Sequence, residues 1–362
     1  MLRYKEIKAA LLEMITSMQE HEKIPSRLVL CKELDTTRAT LDKAIKELTD
    51  EGILTSGKGS GTYVAVRYPG IIRRQNSWGI IVPDIMEPIY AGIVRGIENI
   101  AQENNITVSL CNSDSDPDKQ EQYLLRLIQT GVSGMIIVPV ISRNVKENCR
   151  LYDQLTKANI PFVFCNRMVE GVSAPIVTSN DYYGAYIGTK HLISMGYRKV
   201  AFISKVNYST STKRCYGYLT AIMESGLEIN RQNIIMEEPD NADLPGYSSM
   251  KMLLEQDSTI DAVFCFNDQL AQGVYKAIEE KGLKVSDDIG VIGYNNTLSL
   301  CEHLTPELSS LSYHNTEIGK MAGDILLKLT NNKPLSGFDN YIMQPEIVIR
   351  SSCLGPKKKE EC

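Results

Sequence analysis

Long apolar runs, tryptophan and histidine are all scarce in this chain, and each scarcity narrows the possible functions. The 362 residues include one tryptophan and four histidines. No run of about 18 apolar residues occurs, so no membrane-spanning helix is expected. The first turns of the N-terminus carry charges, which argues against a secretory signal. We therefore expect a cytoplasmic protein.

The motifs of common enzymes and metal sites are also missing. The histidines and the nine cysteines show no metal-ligand spacing, and no CxxC pair occurs. The chain has no GxSxG, HExxH or GxxxxGK[ST] stretch. Because most cysteines lie within apolar runs such as AVFCF, we predict that they are buried, reduced thiols. We predict no enzyme, no metal and no cofactor.

The bulk composition is that of a globular protein with an uneven charge. The length favours two or three domains, and 43% of the residues are apolar and 23% charged. Residues 1–75 carry 13 basic and 10 acidic residues, whereas the remainder carries 26 and 34, which gives the net charge of −5. A mildly basic N-terminal part on an acidic remainder indicates that only the N-terminal end of the chain contacts the phosphates of a nucleic acid.

Residues 25–62 combine a short helical pattern, a polar turn, a second helical pattern and a glycine-rich loop. In the second helix, apolar residues at i, i+3, i+4 and i+7 predict one buried stripe: Leu41, Ala44, Ile45 and Leu48. Thr37 is a predicted N-cap, so Arg38 and Thr40 would project from the first turn. A helix whose N-terminal residues are polar and exposed to solvent can enter the major groove of DNA.

An earlier helix and a later hairpin complete this N-terminal pattern. The helix has a predicted inner face of Ile7, Leu11, Met14, Ile15 and Met18. It is predicted to end before Glu22, since Pro25 disfavours a helical conformation at Ile24. Strands are predicted at 53–56 and 62–66, with Gly57, Gly59 and Gly61 in the loop between them. The pattern predicts a winged helix-turn-helix domain at residues 1–68 and a linker at 69–77. A small helical module that binds protein is the alternative.

From Trp78 onward, short apolar runs alternate with amphipathic helical stretches, which predicts doubly wound parallel sheets. Strands are predicted at 78–83, 107–111, 134–139, 162–166, 176–179, 199–204, 233–237, 262–266 and 290–294. Helices are predicted at 90–104, 119–130, 144–158, 183–195, 213–225, 248–256, 268–280 and 316–329. We expect a two-lobed α/β domain at 78–350. Lobe 1 would span about 78–165 and 296–320, lobe 2 about 166–294 and 321–350, and residues 351–362 would form a charged tail.

Polar residues recur directly after the predicted strands, at the edge where open α/β sheets bind ligands. They are Asp84, Asn112, Asn166, Arg167, Asn180, Asp181, Asn267, Asp268, Asn295 and Asn296. Each one taken singly is more often a helix N-cap or a turn residue. Their recurrence at one end of the strands favours a binding site.

The N-terminal frame P-S…L…EL…T-R-x-T-L…A…L…G-I-L…G-x-G-T-Y-V, over residues 4–65, resembles the GntR family of bacterial regulators. The resemblance implies that Thr37, Arg38 and Thr40 enter the major groove, and we add Lys43 on the same helix. It also implies that the wing residues Lys58, Gly59 and Ser60 contact the minor groove or phosphates.

Three positions depart from that family pattern. Leu28 and Asp42 stand where GntR heads commonly have arginines, and Ser60 replaces the usual wing arginine. Asp42 could accept a hydrogen bond from cytosine N4, or it could be a solvated surface residue. These departures mean that an operator sequence cannot be transferred from the family.

Residues 78–350 resemble the LacI family and the ribose-binding-protein fold. The stretches that carry the resemblance include IIVPDIMEPIYAGIVRGIE, HLISMGYRKVAFIS, KRCYGYLTAI, AVFCFNDQLAQGVYKAIEEKGLKVSDDIGVIGYNNT and LTPELSSLS. The family's sugar-contact positions map onto Glu87, Tyr90, Asn166, Arg167, Asp181, Arg214, Asn267, Asn295 and Tyr313. Arginine forks, amides and carboxylates suit a polyhydroxylated ligand. For Arg214, the alternative is a surface salt bridge.

Together the two resemblances imply a ligand-responsive transcriptional repressor of a carbohydrate-utilisation operon. The protein would form a homodimer, bind a double-stranded operator and respond to a sugar in the interlobe cleft. Asn166 and Asn295 replace aspartates that are common in sugar-binding relatives, so a nucleoside or a sugar phosphate acting as corepressor is an alternative effector. A solute-binding receptor is a further alternative, which the N-terminal domain disfavours.

Overall fold

The computed structural model describes residues 3–16, 18–19, 21–57, 61–65, 75–141, 145–206, 209–237, 244–333, 335 and 340–356. It separates into two compact units. The first is Met1–Ser77 with Arg126–Ser133, and the second is Trp78–Leu125 with Gly134–Cys362. We call the described residues 3–65 the head and the described residues 75–356 the body, and each is treated by itself.

The head is a helix-turn-helix followed by an antiparallel hairpin. Its elements are α1 (Arg3–Thr16), α2 (Arg27–Glu33), α3 (Arg38–Asp50), β1 (Leu54–Gly57) and β2 (Gly61–Val64). The predicted stripe of α3 is buried, as its spacing requires. Of the predicted inner face of the first helix, Ile7, Leu11 and Ile15 are buried, and Met14 packs against them partly buried. Met18 also packs there partly buried, but it lies beyond the end of α1 at Thr16. The winged helix-turn-helix expected from the sequence is confirmed.

One six-stranded sheet of the body has the order β13-β7-β6-β5-β3-β4. Its strands are β3 (Gln75–Val82), β4 (Thr107–Asn112), β5 (Val132–Ile137), β6 (Phe162–Cys165), β7 (Ile176–Ser179) and β13 (Asn340–Met343). Strands β5, β6, β7 and β13 pair in parallel. The accompanying helices are α4 (Pro88–Glu103), α5 (Pro117–Thr130), α6 (Val145–Lys157) and α12 (Asn315–Thr330).

A second six-stranded sheet has the order β14-β12-β11-β10-β8-β9. Its strands are β8 (Val200–Lys205), β9 (Ile234–Glu237), β10 (Ala262–Cys265), β11 (Gly290–Asn295), β12 (Ser309–Ser312) and β14 (Glu346–Val348). All pairings are parallel except that of β12 with β14. The helices are α7 (Asp181–Ser194), α8 (Ser209–Glu224), α9 (Tyr247–Gln256), α10 (Asp268–Glu280) and α11 (Leu298–Cys301). The predicted two-lobed α/β architecture is confirmed.

The division between the lobes differs from the expected one. Strand β12 pairs with β11, so residues 296–312 belong to the second sheet, whereas β7 and β13 pair with each other in the first. We therefore define the first lobe as residues 75–179 and 315–343, and the second as 181–312 and 346–356. The sequence prediction missed β12, β13 and β14 because these strands are only three or four residues long and partly polar.

Helix α12 belongs to the first lobe because it packs closely on α4. A Cβ atom on Gly96 would lie 2.1 Å from the Thr316 carbonyl oxygen, and one on Gly319 would lie 2.0 Å from the Ile93 oxygen. Only glycine permits such a close approach of two helix backbones. This contact brings the chain back to the first lobe directly after β12.

Candidate ligand cleft and nucleic-acid interface

The N-terminus of α3 presents polar side chains to solvent. Thr37 is the N-cap, and its hydroxyl accepts a hydrogen bond from the Thr40 amide at 3.4 Å. The Arg38 side chain is 81% exposed, and its nearest carboxylate, that of Asp42, is 3.8 Å away. Three of the predicted DNA-contacting residues therefore share one exposed helix end, which has the form that major-groove binding requires.

The remaining predicted DNA contacts do not all lie at that end. The Lys43 ammonium lies 4.1 Å from the centroid of the Tyr4 ring, so this cation also has a partner on α1. Lys58, Gly59 and Ser60, the predicted wing contacts, lie outside the described residues.

Arg27, which sequence reasoning did not single out, joins α3 to β2 in the head. Its guanidinium donates to Asp42 on α3 at 3.3 Å and to the Thr62 hydroxyl on β2 at 2.6 Å. Asp42 is half-exposed and contacts both Arg27 and Arg38. It is therefore an ion-pair partner rather than a freely solvated residue. A separation of 15 residues gives no periodic signal from which this pair could have been predicted.

A polar cavity of about 250 Å³ lies between the two lobes of the body. Seven of the nine predicted ligand contacts line it: Glu87, Tyr90, Asn166, Arg167, Arg214, Asn267 and Asn295. Other lining residues are Asp84, Ile89, Ser115, Lys205, Thr210 and Phe266. Of these, only Asp84 stood among the strand-end residues singled out from the sequence. Asp181 and Tyr313 do not line the cavity but contact residues that do.

Arg214 forms the most buried ion pair of the cleft. Its side chain is 3% exposed, and its Nε and Nη2 atoms lie 2.8 and 2.7 Å from the Asp181 Oδ1 atom. Nη1 donates to the Phe266 carbonyl oxygen, and the guanidinium carbon lies 3.5 Å from the Tyr294 ring centroid. Burial raises the pKa of Asp181, and the charge of Arg214 opposes this shift. The alternative of a surface salt bridge is wrong.

Asn166 and Asn295 occupy backbone conformations that few other residues adopt. Their φ angles are +64° and +99°, and asparagine is enriched among non-glycine residues with positive φ. Tyr313, whose pKa is raised by burial, donates its hydroxyl proton to the Asn166 Oδ1 atom at 2.5 Å. The Asn295 Oδ1 atom is buried and has no hydrogen-bond partner among the described residues. The first amide thus retains its N–H donors for a ligand, and the second offers an acceptor.

Glu87 and Tyr90 extend the polar wall of the first lobe. Glu87 accepts a hydrogen bond at 3.0 Å from the Gln269 amide on the second lobe, so this contact bridges the cleft. The Tyr90 hydroxyl lies 2.7 Å from the Arg167 Nη2 atom, which donates to it. The Glu87 carboxylate and the Arg167 guanidinium are therefore held at the cavity wall by contacts within the protein.

Several other strand-end residues serve local structure. Asn180 and Asn267 cap α7 and α10 by accepting from backbone amides, although Asn267 also lines the cavity. Asn112 accepts from the Ile85 amide at 2.7 Å, and Asn296 accepts from Arg350 at 2.9 Å. These four residues therefore have the structural roles, helix N-cap or turn residue, that the sequence analysis gave as the alternative to ligand binding.

The described part of the chain has no helix that combines the length and apolar character needed to cross a bilayer. Within those same residues, no three histidine, cysteine or acidic side chains are grouped to hold a metal ion.

A winged helix-turn-helix head and a two-lobed α/β body with a polar interlobe cavity define a class of ligand-binding, DNA-binding proteins. Residues 75–339 match the family "periplasmic binding proteins and sugar binding domain of LacI family". Residues 3–64 match the "bacterial regulatory proteins, gntR family". The chain belongs to the LacI family through its body, and it carries a GntR-type head.

Similar proteins support both assignments. The chain is 27% identical over 354 residues to the arabinose metabolism transcriptional repressor of Geobacillus stearothermophilus, with 97% of each chain covered. It is 33% identical over 287 residues to the transcriptional repressor PurR of Glaesserella parasuis, which covers 78% of this chain and 82% of that protein. The match to this arabinose repressor runs through both the head and the body, so the chain resembles it along nearly its whole length.

Solved structures give the same result for the body. The regulator CcpA of Lactococcus lactis superposes with a TM-score of 0.67 at 27% identity, covering 77% of this chain and 99% of that one. A LacI-family regulator from Enterococcus faecium with bound ribose superposes with a TM-score of 0.66 at 28% identity, covering 78% and 100%.

Proposed function

We propose that the protein is a transcriptional repressor whose affinity for operator DNA changes when a sugar binds in the interlobe cavity. The observation that carries the proposal is the cavity itself, which lies between two lobes and is lined by amides, carboxylates and guanidinium groups. Such groups pair with the hydroxyls of a carbohydrate as both donors and acceptors. The same chain carries the head whose helix α3 presents Thr37, Arg38 and Thr40.

Within the cavity, each group has a distinct role toward a polyhydroxylated ligand. Asn166 donates through its amide, because Tyr313 already occupies its oxygen. Asn295 accepts through its unpartnered Oδ1 atom, and Glu87 accepts through its carboxylate. Arg214 donates from a guanidinium fixed by Asp181. Arg167 adds a second guanidinium donor, held by the Tyr90 hydroxyl, and the Tyr90 ring offers a face on which a sugar ring can pack.

The response arises from a shift between cleft conformations. A ligand that contacts both lobes favours the arrangement in which those contacts form together. The linker passes this change to the heads, which in a homodimer contact two half-sites of a pseudo-palindromic operator. Couplings of this kind typically change affinity about 5- to 150-fold. In this scheme the protein acts in the cytoplasm, where its DNA partner is found, and it catalyses no reaction.

Two alternatives concern the ligand and the head. A corepressor would strengthen DNA binding through the same cleft, whereas an inducer would weaken it, and the sign of the measured change decides between them. A solute-binding receptor would use the cleft without DNA, but the exposed polar end of α3 favours a regulator.

Fluorescence anisotropy with the DNA upstream of the protein's own gene tests the proposal. We expect Arg38→Ala to weaken binding at least tenfold. Lys46→Ala is the matched control, because it removes one exposed cation from the same helix two turns further on. A sugar found by a thermal-shift screen should change the wild-type affinity. Equal losses in the two variants, or no sugar that alters DNA binding, would contradict the proposal.

A further inference from the structure

Lys205 places an unpaired cation in the cavity. It is the last residue of β8, it is partly buried, and it lines the cavity wall. Within the described ranges, its ammonium group makes no hydrogen bond or ion pair. A partly desolvated charge without a partner costs free energy, so a ligand group of opposite charge would be stabilised there.

Thr210 adds a second polar group on the same wall. It lies in the first turn of α8, is 6% exposed and lines the cavity. The Thr210 hydroxyl group makes no hydrogen bond with any residue that the structure describes. The N-terminal end of a 16-residue helix also carries partial positive charge. A buried hydroxyl, an ammonium group and a helix N-terminus together suit an anion.

The carboxylates that line the cavity come from one lobe, which also contributes the cation Arg167. Both carboxylates, those of Asp84 and Glu87, belong to the first lobe. Within the described residues, the second-lobe lining includes no carboxylate, and the charge of Arg214 is already balanced by Asp181. The second lobe therefore retains a positive charge at Lys205 that has no carboxylate partner among the described residues. The opposite wall offers the Asp84 and Glu87 carboxylates as acceptors and the Arg167 guanidinium as a donor.

We propose that the effector is an acidic monosaccharide derivative, a sugar phosphate or a sugar carboxylate. Its anionic group binds Lys205 and Thr210 on the second lobe, and its hydroxyls bind the first-lobe carboxylates. A volume of about 250 Å³ lies just below the roughly 300–1,000 Å³ usual for ligand pockets, which favours a single sugar ring. This inference rests on the proposed function and specifies the ligand class of the same cleft.

Isothermal titration calorimetry of the full-length protein tests the inference with matched sets of compounds. Glucose is compared with glucose 6-phosphate and glucuronate, ribose with ribose 5-phosphate and ribonate, and inorganic phosphate is titrated alone. We expect an acidic member to bind about 10- to 100-fold more tightly than its neutral parent, as charge-assisted hydrogen bonds do. A phosphate ligand should lose affinity between pH 7.5 and 5.5, because its second pKa is about 6, whereas a carboxylate ligand should not.

Substitutions locate the effect within the cavity. Lys205→Met should abolish the preference for the acidic compound, and Thr210→Val should reduce it several-fold. Lys213→Met is the matched control, because it removes an exposed cation of α8 that does not line the cavity. Thermal melting of each variant verifies that it is folded. If Lys205→Met does not fold, the Thr210→Val result decides the outcome.

The inference is overturned if a neutral sugar binds as tightly as its acidic derivative, or if inorganic phosphate alone binds as tightly as the sugar phosphates. It is also overturned if the Lys205 and Lys213 variants behave alike. A neutral sugar that binds as tightly as its acidic derivatives and alters DNA affinity would leave the proposed function standing while refuting this ligand class. If no sugar of either kind binds, the proposed function fails as well.

Discussion

Removing the Arg214 guanidinium tests whether the cleft is organised around a buried ion pair. In Arg214→Met, the Asp181 carboxylate would remain in its buried position without its partner at 2.7 Å. Breaking one side of a buried pair typically costs about 3–5 kcal/mol. At roughly 2 °C per kcal/mol for a unit of this size, the melting temperature of the body should fall by about 6–10 °C.

The same variant should have a characteristic dependence on pH. Burial already raises the pKa of Asp181, and the loss of Arg214 removes the charge that opposes this shift. A carboxyl whose pKa is higher in the folded state is destabilising when ionised, and this penalty disappears once the carboxyl is protonated. The stability deficit of Arg214→Met relative to wild type should therefore shrink as the pH falls from 8 to 5.

A double variant provides the control. Asp181→Asn combined with Arg214→Met removes both charges, so it should recover at least half of the lost melting temperature. Differential scanning calorimetry at four pH values, with and without a bound sugar, measures these differences. A deficit below about 1 kcal/mol would refute the assignment of a buried pair. So would a deficit that does not change with pH, or a double variant no more stable than the single one.

Three further predictions concern other contacts of the structure. Burial raises the pKa of Asp268 to about 6, so its stabilising contribution is present below pH 3.8 and is lost as the pH rises through 6. Wild type should lose about 1–2 kcal/mol relative to Asp268→Asn between pH 5 and 7.5, measured by urea unfolding. Gln269→Leu removes the hydrogen bond to Glu87 across the cleft, so ligand affinity should fall about 3- to 10-fold in calorimetry, more than for Gln272→Leu on the same helix. Asp42→Asn frees Arg27 and should steepen the dependence of DNA affinity on salt by about one phosphate contact.

Each of these three predictions has an outcome that contradicts it. Parallel pH profiles for wild type and Asp268→Asn would mean that this carboxyl does not titrate in that range. Equal ligand affinities in the Gln269 and Gln272 variants would mean that the hydrogen bond between Gln269 and Glu87 does not contribute to ligand binding. If Asp42→Asn instead weakens specific binding without changing the salt dependence, Asp42 accepts from a base, as the cytosine alternative holds.

The head could be predicted from the sequence in some detail, because its helices have clear periodicity and caps. The stripe from Leu41 to Leu48 and the N-cap Thr37 follow from local spacing and side-chain chemistry. The pair of Arg27 with Asp42 depends on tertiary contact between two helices and could not be predicted in this way.

The body was predictable in its alternation of strands and helices but not in its division into lobes. Strand β12, with the sequence SSLS, has neither an apolar run nor clear alternation. The prediction therefore misplaced the point at which the chain passes from the second lobe back to the first. In the cleft, polar residues at strand ends gave useful signals. Lys205 gave none, because a lysine at the end of a strand looks like any surface cation until the fold places it in a cavity.

Measuring sugar affinity with and without operator DNA tests the central claim most directly, because coupling between two sites is reciprocal. If the cleft and the head are coupled, saturating operator duplex should change the affinity for the sugar by the same factor, about 5- to 150-fold, by which the sugar changes the affinity for DNA. A sugar that binds equally well to free and DNA-bound protein would contradict the account.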